Sequence, residues 1–131
     1  MKCFFDNQMS PKLPRAISEL EGKNGITIVH LKDKFEQNIP DTEWMQNLAK
    51  EGDWFVITKD TKIRERAYEI EIWKQSNLPI VFLPSDPWMK YGIWETAWRL
   101  VKYWSNLKDI MANNKNNDSF VLNAKGEARK L

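Results

Sequence analysis

The sequence holds one cysteine and one histidine in 131 residues. A lone thiol cannot staple the fold internally, so a reducing, cytoplasmic setting is expected. The nitrogen and sulfur ligands that usually make a zinc site are equally scarce. No window approaches the roughly 20 apolar residues of a membrane helix. At the N-terminus Met1-Lys2-Cys3-Phe4-Phe5 meets Asp6 before a signal-peptide core forms, so no membrane association is expected. Strong charge of one sign is missing too. The formal net charge of +2 is far below that of a DNA-coating protein. There is no internal repeat, and the one biased tract is the polar stretch Asn113-Asn114-Lys115-Asn116-Asn117-Asp118. Cys3 lies in an apolar run with no activating neighbour, which points to packing rather than nucleophilic chemistry.

With 42% hydrophobic and 29% charged residues, the chain has the composition of an ordinary globular protein. Its length suits a single domain over 1–131, with a core over 1–84 and a C-terminal helix and hairpin over 85–131. Such a domain buries about two-thirds of its unfolded surface. Charge is spread unevenly. From Pro84 onward eight Lys or Arg face five acids, a net +3, which leaves the first 83 residues at −1. A bound polyanion would therefore run along the C-terminal part, although solvated helix faces give the same count.

Residues 2–5 form a short apolar strand, and Ser10-Pro11 then opens a helix to about Glu21 with Leu13, Ile17 and Leu20 on one face and Gly22 as the stop. Ile26–Leu31 is the second strand. Asp41-Thr42-Glu43 starts a helix that aligns Trp44, Met45, Leu48 and Ala49 before Gly52. Trp54–Thr58 is the third strand, and Asp60 caps a helix through Ile63, Ala67, Ile70 and Trp73 or Lys74. Pro79–Leu83 is the fourth. Continuous apolar strands alternating with helices predict an α/β fold, a three-layer parallel sheet of about four strands with helices on both faces. Residues 88 to about 112 read as one long helix, with Ile93, Trp94, Ala97, Trp98, Val101 and Trp104 as a core or partner-facing stripe. Ser119–Asn123 and Glu127–Leu131 suggest a terminal hairpin around Gly126.

In open parallel sheets, ligands bind outside the carboxyl ends of the strands. Here the first strand ends in Asp6, the second in Lys32-Asp33 and the third in Thr58-Lys59-Asp60, with Asp41 and Glu43 at a helix start that returns near the same edge. Carboxylates gathered there repel one another unless a cation neutralises them, and oxygen donors of this kind suit Mg²⁺ or Mn²⁺. Asp41 and Asp60 are equally well placed to cap helices, a role that needs no metal. Thr58 either orients Asp60 or is simply a β-branched strand residue. His30, inside a strand, reads as a buried hydrogen-bonded imidazole.

The stretches FFDNQMSP (4–11), VHLKDKF (29–35), PDTEWMQNLAKEG (40–52), WFVITKD (54–60), and the helix through Glu69 ending in LPIVFLP (78–84), resemble, in this order, the PIN-like nucleases, in particular the VapC-type toxin branch. The long helix and hairpin are similar to that branch as well. The resemblance implies an Mg²⁺- or Mn²⁺-dependent endoribonuclease with Asp6, Asp41 and Asp60 as catalytic metal ligands. Glu43 and Glu69 would be outer members, with Asp33 in reserve. Asn7 stands where many relatives carry an acid. Lys32, Lys34, Lys59, Lys62, Arg64 and Arg66 are placed to meet substrate phosphates or to be solvated surface charges. The implied partners are RNA and a small antitoxin covering the site, with residues 88–104 as part of that interface; the oligomeric state is open, a homodimer included. Two other readings compete. One is an inactive module of the same fold that binds a protein partner. The other is a receiver-like signalling domain, disfavoured because the fourth strand ends in Leu83-Pro84-Ser85 rather than in a lysine.

Overall fold

The computed structural model describes residues 1–23 and 25–131, with Thr61 described by its backbone alone. In chain order it contains β1 (Lys2–Phe5), α1 (Lys12–Glu21), β2 (Thr27–His30), a short α2 (Leu31–Lys34), α3 (Asp41–Glu51) and β3 (Trp54–Thr58). A 3₁₀ turn (Thr61–Arg64) leads to α4 (Ala67–Ser76), β4 (Ile80–Phe82), the short α5 (Ser85–Trp88), α6 (Ile93–Ala112), β5 (Phe120–Leu122) and β6 (Ala128–Lys130). The strands form one sheet in the order β2-β1-β3-β4-β5-β6. All neighbours are parallel except β6, which runs antiparallel to β5 at the edge. The sheet is thus wider than the expected four strands, because β5 pairs directly with β4 (Val81↔Phe120, Phe82↔Val121) and carries the hairpin into it.

Alternation along the strands divides the core into two layers. Cys3 and Phe5 of β1, with Phe55 and Ile57 of β3, face Leu13 and Ile17 of α1 and Leu100, Leu107 and Met111 of α6. Phe4, Val56 and Phe82 face the other way, onto Trp44, Met45 and Leu48 of α3 and Ile72 of α4. Each strand residue buried at nearly full depth contributes about 1.5–3 kcal/mol, which explains why β3 is buried at all five positions. The chain leaves β1 for β2 on one side and returns to β3 on the other. A crevice therefore opens between the carboxyl ends of β1 and β3, where Asp6 and Thr58 emerge, and this is the usual ligand position in such sheets.

Three helix expectations change. Leu20 is 71% exposed, since the inner side of α1 closes instead with Glu21, which accepts the Trp104 Nε1–H at 2.6 Å and pairs with Lys108 Nζ at 2.7 Å. The helix expected from Asp60 is broken at Glu65-Arg66, where Arg66 adopts extended φ/ψ. The break resets the helical phase, so Ile72 is buried while Ala67 is exposed. The long helix begins at Ile93, not at residue 88. Trp88 sits in a separate turn, fully buried, with Nε1–H donating to the Leu122 carbonyl at 3.0 Å. Tyr103 Oη and Arg99 Nη1 each donate to the Ala124 carbonyl at 2.6 Å, which fixes the roll of α6. Its inner face is Thr96, Leu100, Tyr103, Trp104, Leu107 and Met111. Of the expected stripe only Trp104 is buried; Ile93, Trp94, Trp98 and Val101 are exposed, Trp94 at 86%. Among the described residues no helix is long and apolar enough to cross a membrane.

Candidate active site

Asp6 directly follows β1 and is 2% exposed. Its Oδ2 accepts the Thr58 Oγ1–H at 2.6 Å and its Oδ1 accepts the Gln8 amide at 3.1 Å. Thr58 is the last residue of β3, and the same Oγ1 accepts the Asp60 amide at 2.8 Å. One hydroxyl therefore ties the two strand ends together. It orients Asp6 by donation and Asp60 through its backbone, beyond what a β-branched strand filler does.

Asp41 is the first residue of α3, whose N-cap position belongs to Pro40 with no side-chain cap bond. Its Oδ1 accepts the Trp44 Nε1–H at 2.9 Å. The capping explanation therefore fails for Asp41. It holds for Asp60, whose Oδ1 accepts the Lys62 amide at 3.0 Å at the start of the 3₁₀ turn. Glu69, in the first turn of α4, pairs through Oε1 with Arg66 Nη1 at 2.9 Å, while its Oε2 is buried with no hydrogen-bond partner.

These four acids feel one another. Burial pushes the Asp6 carboxyl up to about 7, the Thr58 hydrogen bond opposes that shift, and the charges of Asp41 and Asp60 add to it. Burial raises Asp41 as well, opposed by the Trp44 indole and reinforced by Asp60 and Glu69. Arg66 is the cation among them, held by Glu69 and attracted by Asp60 and Asp41. Among the described residues no three His, Cys, Asp or Glu side chains form a ready-made ligand cage. The donor set is nevertheless one of hard oxygens, and it includes a buried carboxylate oxygen without a partner.

The remaining sequence candidates divide. Asp33 lies outside the cluster, its carboxylate paired with Arg15 Nη2 at 2.9 Å. Glu43 is exposed and takes part in none of the cluster's hydrogen bonds. Asn7 donates its amide to the Gln37 carbonyl at 2.7 Å. Lys34 turns away to Glu51, at 2.9 Å, and to the Trp54 ring. Lys32 and Lys62 are exposed, and Lys59 is half-buried, its ammonium pKa lowered by burial. The Arg64 guanidinium lies 5.5 Å from the Phe82 ring centroid. His30 is fully buried, with Nε2 at 2.7 Å from the Met9 carbonyl and Nδ1 accepting the Lys32 amide, so both nitrogens are occupied structurally. Sequence reading missed Trp44 as the partner of Asp41, although their i, i+3 spacing on a helix is the signal that would have found it.

Residues 1–85 match the family model described as a PIN-like domain. The chain belongs to the PIN-like domain family. This agrees with the mostly parallel sheet, the flanking helices and the long C-terminal helix of the structure. No curated protein and no solved structure matches the chain. The matched segment contains Asp6, Asp41, Thr58, Asp60, Arg66 and Glu69.

Proposed function

We propose that this PIN-like protein is a metal-dependent endoribonuclease, and that it is the toxin of a toxin–antitoxin pair acting in the cytoplasm. The observation that carries the nuclease reading is the burial of Asp6 beside Asp41 and Asp60 at the crevice, with its carboxyl raised to about 7. Grouping acids in this way is unfavourable for the fold alone and becomes favourable when a divalent cation joins them. Asp6, Asp41 and Asp60 would hold Mg²⁺ or Mn²⁺, with Glu69 as an outer member through its unpartnered Oε2. Such a cation, when bound, supplies Lewis-acid stabilisation of phosphate charge and acidifies a water molecule.

The chain's own residues do the positioning. Thr58 fixes the Asp6 carboxylate and the Asp60 backbone together, and the Trp44 indole fixes Asp41. Lys59 and Lys62, beside Asp60, supply positive charge for substrate phosphates. Arg66 balances the acids in the cation-free site.

The test is incubation of total cellular RNA with wild type and with an Asp6→Asn, Asp60→Asn double variant, each in Mg²⁺, Mn²⁺ and EDTA. Discrete fragments from the wild type alone, lost in EDTA, are expected. Identical cleavage by both proteins would place the chemistry elsewhere. The exposed Trp94 and Trp98 support the antitoxin reading, because large exposed aromatics favour partner surfaces. Trp94→Ala with Trp98→Ala should abolish co-purification of the neighbouring gene product while leaving the melting temperature within about 2 °C, the scale of surface changes. Unchanged co-purification would remove this face from the interface.

A further inference from the structure

The opposite edge of the sheet holds a cavity of ≈ 580 Å³. Its lining leads into the strands rather than out of them. Asp53 precedes β3, Leu78 and Pro79 precede β4, and Asn114 and Asn117 precede β5. The five residues of β3 put this basal cavity about 16 Å from the acidic crevice. None of Asp6, Asp41, Asp60 and Glu69 lines it.

The electrostatics of this cavity are one-sided. Helices α3, α4 and α6 all end at it, with Gly52, Ser76 and Ala112 in its wall. The last four carbonyls of a helix lack partners within it, and each C-terminus carries about half a negative charge. Caps occupy one carbonyl in each final turn: Gly52 N–H donates to Leu48, the Ser76 hydroxyl to Trp73 and Asn113 N–H to Asp109. The dipoles remain, and the Asp53 carboxylate adds a full charge. Among the fifteen lining residues there is no Lys, Arg or His, in a chain with 20 Lys and Arg. The cation found there is the Met1 ammonium, 2.6 Å from Asp53 Oδ2.

The floor is apolar, formed by the buried Leu48, Phe55, Leu78 and Met111. At the rim, the Asn114 amide is spent on the Asp118 backbone, whereas Asn77 and Asn117 are exposed and offer amide oxygens. Asp53, Asn77 and Asn117 are also the non-glycine residues with left-handed backbone among those described, at φ of 65°, 56° and 54°. Such conformations gather where ligands are held. Several separated negative points around an apolar floor match an alkyl chain that carries ammonium groups at intervals. A bare metal ion would leave the floor unused, and a phosphate would be repelled.

We infer that the basal cavity binds a linear aliphatic polyamine, with its methylenes on Leu48, Leu78 and Met111 and its ammonium groups at Asp53 and the carbonyl ends of α3, α4 and α6. The Asp53 side chain is 68% exposed, so a ligand ammonium can reach it beside that of Met1. The site stands apart from the acidic crevice and does not depend on the ribonuclease reading.

The experiment titrates spermidine into the full chain, with calorimetry for affinity and amide NMR shifts for location. The acidic crevice also attracts cations, so the titration is repeated on the Asp6→Asn, Asp60→Asn variant, which should keep the same basal binding. Shifts should cluster at residues 48–54, 76–79 and 111–117. Asp53→Asn removes the charge but keeps a residue that tolerates left-handed backbone, and should weaken binding about tenfold. Ala112→Trp, at an exposed position of the wall, should fill the mouth and abolish binding with the fold intact. A neutral diol of similar length should not bind. Shifts confined to the surroundings of Asp6, Asp41 and Asp60, or binding lost in their double variant, overturn the basal site. Unchanged affinity in both Asp53→Asn and Ala112→Trp does so too, and equal binding of the diol overturns the choice of a polyamine. If spermidine fails to bind the wild type, the inference is wrong.

Discussion

At the scale of single residues, Asp6 couples stability to the crevice. Burial and the nearby Asp41 and Asp60 raise its carboxyl from an ordinary 3.8 to about 7. The folded chain thus binds this proton more tightly than the unfolded chain. Its contribution to stability is fully present below about 3.8 and is lost as pH rises towards 7. His30, whose pKa burial lowers, acts in the opposite direction over part of this range, so the wild-type profile alone is ambiguous. The difference between Asp6→Asn and wild type isolates Asp6. In EDTA the melting temperature of Asp6→Asn should gain on wild type steadily from pH 4 to 7, because an amide carries no charge to bury. A gap independent of pH would contradict the shift. Thr58 offers a second probe. Thr58→Val leaves the Asp6 carboxylate and the Asp60 amide without their shared partner and should cost about 1–3 kcal/mol at pH 7, whereas Thr58→Ser should stay close to wild type by denaturant unfolding.

At the scale of elements, the sequence was most legible where period and punctuation agreed. Strands β1 to β4 and α3 lie within a residue or two of their expected places because continuous apolar runs and flanking glycines set them. Phase was less legible. The periodicity of α6 offers two candidate faces, and the choice between them was made by hydrogen bonds from Tyr103 and Arg99 to Ala124, 21 and 25 residues away. No local pattern contains that information. Likewise the break at Arg66 reset α4 so that Ile72 replaced Ala67 on the inner face. The β5–β6 turn shows the same dependence on tertiary packing. Gly126 has φ of 86°, and a Cβ there would stand 2.4 Å from Tyr103 Cδ1. Gly126→Ala should therefore destabilise by about 2 kcal/mol or more, through both strain and overlap. A loss within 0.5 kcal/mol in urea unfolding would show that the turn relaxes freely.

At the scale of the whole molecule, the strand order β2-β1-β3-β4 brings together acids separated by up to 63 residues of sequence, from Asp6 to Glu69. The location of the site was legible, because strand-end acids follow from element order alone. Its membership was only partly so. Asp33 stands three residues past the end of β2, against two past β3 for Asp60, yet Arg15 claims it from α1. Asp41 owes its place to Trp44, and Glu69 is held by Arg66. The sheet and both helical layers serve to keep these side chains at one edge.

Divalent-cation affinity tests this assembly most directly. Mn²⁺ binding, followed by electron paramagnetic resonance at pH 7.5, should show saturable binding to wild type. The same binding should appear for Asp33→Asn and fall at least tenfold for both Asp6→Asn and Asp41→Asn. Equal affinity in all four proteins would contradict a cation site at the β1–β3 crevice, and loss with Asp33→Asn alone would move it to the β2 edge.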